Sequence, residues 1–382
     1  MHRNETGYPL KSALTFFSGL LKHAKLNLFY ALIPVLITPG ISYSTTPDTD
    51  PRDSVHHFRL LAFGTYIEFM VAGVSVNKAL QAKKIVATQF LNMHRQWHSS
   101  HNSLVATLNQ QLPDGQWHPL PHALRDLLKR SVQISIQSKH SFNPAIGRLV
   151  NLWGFNNSLK PRSRPPTKTE IKHWTQRKAR MSDLQIKGNL IRSRNPAVQL
   201  DFGAIAKGFA IDRVTILLKK RGFKHFIINA GGDLKAIGRH PARAWRIAVR
   251  DPANKSQIIA GIKIKNEEAV FTSGDYERYF IFKGKRYHHI INPLNGQPIQ
   301  HTRSVTVLHI SATLADAAAT ALFIAGPEHW PAMAKKLGIQ YVMLIDHKGV
   351  IHLSHAMKLR IQLFKHLHYR IRTIHLRNAS LK

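Results

Sequence analysis

The chain of 382 residues contains no cysteine. Disulfides, cysteine-ligated zinc, iron–sulfur clusters and thiol nucleophiles are therefore excluded. Any bound metal ion must be held by oxygen or imidazole ligands. Without covalent cross-links the fold depends on a hydrophobic core. A hydrophobic content of 43% is enough to form one, and it excludes global disorder.

The charge balance is strongly positive, with 55 Lys+Arg against 20 Asp+Glu and a net charge of +35 before the 24 histidines are counted. A surplus of this size favours anionic partners such as phosphate-bearing ligands or phospholipid, but it does not choose among them. Aromatic and basic residues are not regularly interleaved, and no nucleic-acid-binding module has a signature here. We therefore expect no nucleic-acid partner.

Residues 1–44 are expected to act as a signal peptide or as a signal anchor. Basic residues precede the apolar run 26–41, which is shorter than the ~20 residues of a membrane span and is interrupted by Pro34 and Pro39. Cleavage near residues 42–44 and retention as an anchor both remain open. Either outcome places the rest of the chain outside the cytoplasm, in the periplasm, with association at the inner membrane as one option.

A polar linker is expected over residues 45–59, followed by one catalytic body over 60–356. Within that body, composition and apolar spacing predict helices at 78–96 and 121–139. Strands are predicted at 226–229, 245–249 and 305–310.

Two basic segments stand out from this pattern. Residues 157–194 hold eleven Lys/Arg, two acids and a Pro–Pro pair, which predicts an exposed loop or extended connection. Residues 357–382 form a basic tail with apolar residues at helical spacing, which predicts an amphipathic helix. That helix would either dock on the body or contact an anionic membrane surface.

The stretch DFGAIAKGFAIDRV begins at Asp201 and leads into a predicted helix that ends near Gly222. The amides and positive dipole at such a helix start attract phosphate, and Lys207 adds a cation. The alternative makes Asp201 an ordinary N-cap and Lys207 a surface charge. A second stretch, INAGGDLKAIG over residues 228–238, contains a glycine pair that permits either a close approach to a ligand or a plain hairpin turn.

The third stretch places His289 just before a turn rich in Asn, Pro and Gly, over residues 292–296. Histidine is the natural general base near neutral pH, although a histidine chosen at random is more often structural. In the fourth stretch, Asp316 and Thr320 lie four residues apart and so share one helix face. Their oxygen atoms suit magnesium. Alternatively, Thr313 is the N-cap and Asp316 completes a capping box.

In this order, the four stretches resemble the FAD:protein FMN transferase family, the ApbE flavin transferases. Phe63 to Thr65 is similar to the family's Met-Gly-Thr. Residues 103–109 resemble its Ser-Glu segment, and HSFNPAIGRLVNLWGF over 140–155 resembles its Ala-Phe-Asp and Leu-Trp-Gly-Phe region. The resemblance covers residues 60 to 345.

The resemblance implies an α+β fold, a single compact body of mixed sheets flanked by helices. It also implies magnesium-dependent transfer of FMN from FAD to a Thr or Ser hydroxyl of a target protein, with release of AMP and with acceptors in membrane-linked electron transfer. His289 matches the family's base. The implied metal ligands are Ala204, through its carbonyl, Asp316 and Thr320. The implied flavin contacts are Phe63, Ser141, Phe142, Asn143, Asp201, Lys207 and Ile290.

The sequence departs from the family pattern at five positions. Phe63 stands for Met, Leu104 for Glu, Asn143 and Asn292 for Asp, and Asn295 for Thr. Two other functions remain open. One is FAD pyrophosphatase activity that releases free FMN and AMP from the same metal site. The other is a non-catalytic flavin-binding or membrane assembly protein.

Overall fold

The computed structural model describes residues 54–97, 102–156, 162–364 and 369–376. The expected leader, 1–44, lies outside these ranges. Numbered in chain order, the helices are α1 Val76–Trp97, α2 Leu104–Gln111, α3 His122–Gln137, α4 Gly147–Leu152, α5 Lys168–Thr175, α6 Ala206–Lys220, α7 Ala312–Leu337 and α8 His355–Lys358.

The strands are numbered in the same way. They are β1 Val55–Ala62, β2 Thr65–Ala72, β3 His118–Pro119, β4 Leu184–Lys187, β5 Leu190–Ser193, β6 Phe226–Ala230, β7 Asp233–Ile237, β8 Arg246–Arg250, β9 Ile258–Lys263, β10 Glu267–Gly274, β11 Tyr279–Phe282, β12 Lys285–His288, β13 Thr302–His309, β14 Tyr341–Asp346, β15 Val350–Ser354, β16 Ile361–Leu363 and β17 Arg370–Ile374.

A nine-stranded sheet organises the fold, in the order β1-β2-β6-β7-β10-β13-β14-β15-β17. Its neighbours are antiparallel except β15 and β17, which run parallel. The described residues also form two three-stranded sheets, β16-β9-β8 and β3-β5-β4, and the hairpin β11-β12. The expected α+β fold with mixed sheets is confirmed.

The two faces of the large sheet pack against different partners. Side chains of a strand alternate between faces, so neighbouring Ile227 and Ile228 enter different cores. On the Ile228 face lie apolar side chains of α1, α3, α6 and α7. On the Ile227 face, the β16-β9-β8 sheet contributes Ile247 and Val249. The large sheet is therefore covered by helices on one face and by strands on the other.

The helices predicted at 78–96 and 121–139 are confirmed as α1 and α3, and the three predicted strands as β6, β8 and β13. Helix α1 buries residues three or four positions apart, among them Val86 and Phe90, which is the pattern of a helix with one apolar face. Burial of a side chain such as Phe90 contributes about 1.5–3 kcal/mol.

The expectation of a loop over residues 157–194 is wrong for the described part, 162–194, which contains α5, β4 and β5. Helix α5 begins with a capping box, in which Thr167 and Glu170 satisfy each other's backbone N–H groups. Because the segment is rich in positive charge, the short helix and strand patterns within it were not recognised from the sequence. Ile171 and Ile191 are its buried anchors.

The expected boundaries of the body also need correction. Strand β1 begins at Val55, inside the predicted polar linker 45–59. The tail forms strands β16 and β17 where an amphipathic helix was predicted, and β17 extends the large sheet beside β15. No helix among the described residues has the length and apolarity that crossing a bilayer requires.

Candidate active site

A cavity of about 2440 Å³ wraps the end of the large sheet at the β6–β7 turn and reaches helices α6 and α7. Every site residue expected from the sequence lines it. These residues are Phe63, Ser141, Phe142, Asn143, Asp201, Ala204, Lys207, His289, Ile290, Asp316 and Thr320. The fold thus brings together side chains that are separated by up to 257 positions (from 63 to 320) in the chain.

Helices α6 and α7 cross in close contact at Gly208. The backbone N–H of Gly208 donates a hydrogen bond of 2.8 Å to the Asp316 carboxylate. A Cβ atom on residue 208 would lie only 2.3 Å from the carbonyl oxygen of Ala312. Glycine is therefore required for this crossing, and the crossing holds Asp316 beside Lys207.

Lys207 forms an ion pair with Asp233, a residue that the sequence reasoning missed. Asp233 is buried, and its second oxygen accepts a 2.9 Å hydrogen bond from the backbone N–H of Thr272. Asp233 follows directly after the glycine pair of the stretch 228–238, and this position was the signal in the sequence by which it could have been found. The ion pair fixes the Lys207 ammonium at the cavity wall.

The Asp316 carboxyl lies in an unusual electrostatic environment. Burial raises its pKa to about 7; Lys207 opposes this rise and the charge of Asp233 adds to it. Burial also disfavours the charge on Lys207, but Asp233 and Asp316 outweigh that effect and raise its pKa. Two carboxylates therefore share one ammonium group. A further cation bound at this corner of the cavity would be electrostatically favoured.

The donor atoms at this corner fit magnesium. The Asp316 carboxylate and the Thr320 hydroxyl come from successive turns of α7, and Ala204, on the approach to α6, lines the same cavity. Oxygen donors of this kind are those that magnesium prefers. The Thr320 hydroxyl also lies 3.2 Å from that of Ser273. No group of three or more His, Asp or Glu with metal-binding geometry occurs among the described residues.

The two adjacent histidines have different environments. His288 is buried; its Nδ1 accepts a 3.2 Å hydrogen bond from the Ile290 N–H, so its Nε2 donates to the Ile299 carbonyl. Burial lowers the pKa of His288 to about 4, and its role is structural. His289 is only half-buried and lines the cavity. The two neighbouring side chains therefore lie in different surroundings.

His289 is held as a neutral base. Its backbone N–H and its Nδ1 both lie near the Arg278 carbonyl, at 3.0 and 3.3 Å. A carbonyl can only accept, so Nδ1 carries the proton and Nε2 keeps a free lone pair. Burial and the positive charge of Arg278 hold the pKa of His289 well below its usual value.

Comparison with known proteins identifies the family. Residues 63–343 match the ApbE family. The chain belongs to the ApbE family. A Rhodobacter capsulatus protein named FAD:protein FMN transferase is 35% identical over 328 residues, which are 86% of this chain and 61% of that protein. An Escherichia coli (strain K12) protein of the same name is 27% identical over 293 residues, 74% of this chain and 81% of that protein.

Solved ApbE structures share the fold. The ApbE protein from Thermotoga maritima gives a TM-score of 0.73 at 28% identity, over 80% of this chain and 99% of that one. The apo form of Pseudomonas stutzeri flavinyl transferase ApbE gives 0.70 at 31% identity, over 81% and 97%. The expected family and fold are confirmed, and the relatives' shared name is the enzyme activity that the resemblance implied.

Phe63, which departs from the ApbE pattern, occupies a tight turn. Phe63 and Gly64 connect β1 to β2 with positive φ angles of 53° and 72°. Positive φ is costly for a bulky residue. The Phe63 N–H donates a 3.2 Å hydrogen bond to Nδ1 of His94, and the ring packs on Phe90 and Trp97. These contacts hold an aromatic ring at the cavity wall.

Asn143, where the family has Asp, uses both ends of its amide. Its Nδ2 donates to the Ala179 carbonyl at 2.9 Å, and its Oδ1 accepts from the Ala145 N–H at 3.2 Å. An aspartate could not donate the first of these bonds. The neighbouring Phe142 ring is fully buried, so this segment is a rigid part of the wall.

The Asn292 and Asn295 side chains accept hydrogen bonds from the backbone of their own turn, at 2.9 and 3.0 Å. The Trp153 indole donates to the Gly296 carbonyl at 2.7 Å and stacks on Tyr287. Both departures from the family pattern therefore support the turn that follows His289 in the chain.

The interpretation of Asp201 as a helix N-cap is wrong. Its Oδ1 accepts a 2.8 Å hydrogen bond from the Gly203 N–H, while Ile205 is the N-cap residue of α6. Arg278 lies nearby: burial lowers the pKa of its guanidinium, and the charge of Asp201 opposes that shift. Arg278 was not identified from the sequence, since nothing in its spacing connects it with Asp201.

The N-terminus of α7 is capped differently from the prediction. Ser311, not Thr313, is the N-cap residue, so Asp316 is not part of a capping box. Asp212 of α6 accepts hydrogen bonds from the Ala312 and Thr313 N–H groups, at 3.0 and 2.9 Å. It also accepts from the hydroxyl groups of Ser311 and Thr313. It also pairs with buried Lys235 at 3.1 Å. Asp212, missed in the sequence, fastens the helix that carries Asp316 to the helix that carries Lys207.

Proposed function

We propose that this ApbE-family chain transfers FMN from FAD to a Thr or Ser hydroxyl of an acceptor protein and releases AMP. FAD as donor and a protein as acceptor are in the names of its relatives. The observation that carries the proposal is the meeting of Lys207, Asp316, Thr320 and His289 on one cavity. Its volume of about 2440 Å³ exceeds the ~300–1,000 Å³ of ordinary ligand pockets, which leaves space for a dinucleotide together with a protein segment.

The reaction breaks the phosphoanhydride bond of FAD and forms a phosphoester bond to the acceptor. The acceptor oxygen bonds to the phosphorus of the FMN half, and the bond from that phosphorus to the bridging oxygen breaks. The bridging oxygen leaves with its electron pair on AMP. The acceptor proton passes to Nε2 of His289, which is neutral and unprotonated for the reasons given above.

Lys207 supplies charge neutralisation. Phosphoryl transfer depends more on neutralising and aligning charge than on covalent chemistry. The Lys207 ammonium stays protonated, because its two carboxylate neighbours raise its pKa. Held by Asp233, it can contact phosphate oxygens without leaving its position.

Magnesium fits the oxygen donors of Asp316, Thr320 and the Ala204 carbonyl, and it would supply Lewis-acid neutralisation of the phosphate oxygens there. Binding of a divalent cation would also relieve the repulsion between Asp316 and Asp233. The remaining contacts proposed for the flavin half are with Phe63, Ser141, Phe142, Asn143, Asp201 and Ile290, all on the same cavity.

We further propose that the chain works outside the cytoplasm, on an acceptor of membrane-linked electron transfer. The basic flank, apolar run and polar exit of residues 1–52 support this location. The basic tail is a candidate for contact with an anionic membrane surface.

One experiment tests the function against its rivals. The purified protein is incubated with FAD, magnesium and an acceptor carrying a single reactive Thr, and products are separated by mass spectrometry. We expect covalent flavin on the acceptor and an equal amount of AMP. Free FMN with unmodified acceptor would indicate a pyrophosphatase. Unchanged FAD would indicate a non-catalytic binding protein, and either result would overturn the proposal.

A further inference from the structure

Strand β8 presents a row of cations to the cavity. Its residues alternate, with Ile247 and Val249 buried in the core and Arg246 and Arg250 exposed on the other side. Arg243 precedes the strand and Lys255 follows it. All four cations line the cavity, and together they are called the cationic wall.

The cationic wall has no acidic partner among the ion pairs of the described residues. Elsewhere, basic side chains pair closely, as Arg360 does with Glu268 at 2.7 Å. Of the described residues that line the cavity, eight are Lys or Arg and four are Asp or Glu. The cationic wall therefore carries a local positive charge that an anionic ligand would neutralise.

The cationic wall adjoins the proposed reaction site through Tyr276. Lys255 Nζ lies 5.1 Å from the centre of the Tyr276 ring. Burial raises the pKa of the Tyr276 hydroxyl, the charges of Glu277 and Asp233 raise it further, and Arg250 opposes them. Tyr276 therefore lies within electrostatic range both of Arg250 and of the carboxylate that holds Lys207.

FAD alone does not account for these cations. In the proposed function its pyrophosphate lies against Lys207 and the oxygen-donor corner, and the rest of the dinucleotide carries no negative charge. The second component that must enter the cavity is the acceptor, whose hydroxyl has to approach His289. A lipid bilayer is too flat to enter the cavity together with the acceptor.

Resting on that proposed function, we propose that the cationic wall binds an acidic, extended segment of the acceptor protein beside its flavinylated Thr or Ser. Same-side residues of a strand repeat about every 6.6–6.8 Å. Arg246 and Arg250 lie four residues apart, about 13 Å along β8, and therefore match acidic side chains four positions apart in an extended segment lying along the strand. Charge complementarity of this kind chiefly sets partner choice and association rate.

The test uses two rhodamine-labelled peptides with one central Thr, identical except that Glu flanks the Thr in one and Gln in the other. Binding to the full chain is measured by fluorescence anisotropy with FAD and magnesium present. We expect the wild type to prefer the Glu peptide and the Arg246→Gln/Arg250→Gln variant to bind it about tenfold more weakly, a change of about 1.4 kcal/mol. FAD affinity, measured by quenching of flavin fluorescence, should not change.

Arg370→Gln/Arg372→Gln is the matched control, since both arginines are exposed on β17, off the cavity, and the change in net charge is the same. Equal weakening in the control would show that bulk charge attracts the peptide, and it would overturn the proposal. Weakened FAD binding in the β8 variant, or loss of binding only to anionic phosphatidylserine vesicles, would also overturn it.

Failure of the proposed function gives a different pattern. A wild type that prefers the Glu peptide through Arg246 and Arg250 but transfers no FMN would contradict the transferase and support the cationic wall. A wild type that transfers FMN equally to both peptides would contradict the wall alone.

Discussion

The backbone N–H of Gly208 lies 2.8 Å from the Asp316 carboxylate, across the crossing of α6 and α7. This hydrogen bond joins the helix that carries Lys207 to the helix that carries Asp316 and Thr320, two of the proposed metal ligands. The relative position of the two charges therefore depends on how closely the backbones approach.

Replacement of Gly208 by alanine should separate the two helices. The new Cβ would meet the Ala312 carbonyl at 2.3 Å, and overpacking of this kind costs about 1–3 kcal/mol. We expect a lower melting temperature and a higher magnesium concentration for half-maximal transfer. Gly261→Ala is the control, because its Cβ would meet no atom nearer than 4.0 Å. A Gly208→Ala variant with unchanged magnesium dependence would show that the crossing does not position Asp316.

Asp316→Asn should change how stability depends on pH. The folded pKa of Asp316 is raised to about 7, against about 3.9 in an unfolded chain. The protonated carboxyl is favoured in the folded state, so metal-free wild type should lose stability as pH rises from about 4 to 7. The Asp316→Asn side chain stays neutral, so this variant should lose less stability over the same pH range, as measured by urea titrations.

The same variant tests the metal assignment. Magnesium at pH 8 should raise the melting temperature of the wild type by binding the folded state. It should leave Asp316→Asn unchanged and unable to transfer FMN. An equal magnesium-induced shift in the variant would place the metal elsewhere.

His289→Ala should slow transfer by about 10²–10⁴, the usual contribution of a general base. FAD binding and the melting temperature should stay near wild type, because the His289 side chain is half-buried at the cavity. His288→Ala should do the reverse and lower the melting temperature, since it removes a buried side chain bonded to the Ile299 carbonyl. Wild-type transfer by His289→Ala, measured in single turnovers, would assign the base to another residue.

Asp212→Ala should destabilise the fold and weaken the magnesium response together. Loss of a helix cap and of charge-assisted hydrogen bonds predicts about 2–4 kcal/mol in chemical unfolding. Asp126→Ala is the matched control. The exposed Asp126 carboxylate, on α3, makes only a 3.5 Å contact with Arg213, which lies on α6 as Asp212 does. Destabilisation by Asp212→Ala with an unchanged magnesium requirement would limit Asp212 to a structural role.

The amphipathic helices and the motif residues were predictable because their signals are local. Buried positions repeat along α1, and the stretches around Lys207, His289 and Asp316 each carry a recognisable pattern. Asp212 and Asp233 escaped because their importance rests on partners that the fold brings close, Thr313 and Lys207. The spacing of residues along the sequence carries no information about contacts of this kind.

The tail was mispredicted for a different reason. Ile371 and Ile374 fit a helical spacing, but the segment around them gains backbone hydrogen bonds by lying parallel to β15. Tertiary pairing of this kind overrides local propensity. The error at Thr313 was smaller, a shift of two residues from the true N-cap, Ser311.

The first and last strands that the structure describes, β1 and β17, lie at opposite edges of the nine-stranded sheet. An exposed edge can add a strand from another copy and so begin aggregation, and charged side chains on the edge discourage this. Arg59 lies exposed on one edge, Arg370 and Arg372 on the other. Edge-to-edge pairing of two copies would bring these arginines together, and their repulsion opposes the growth of sheet-linked polymers.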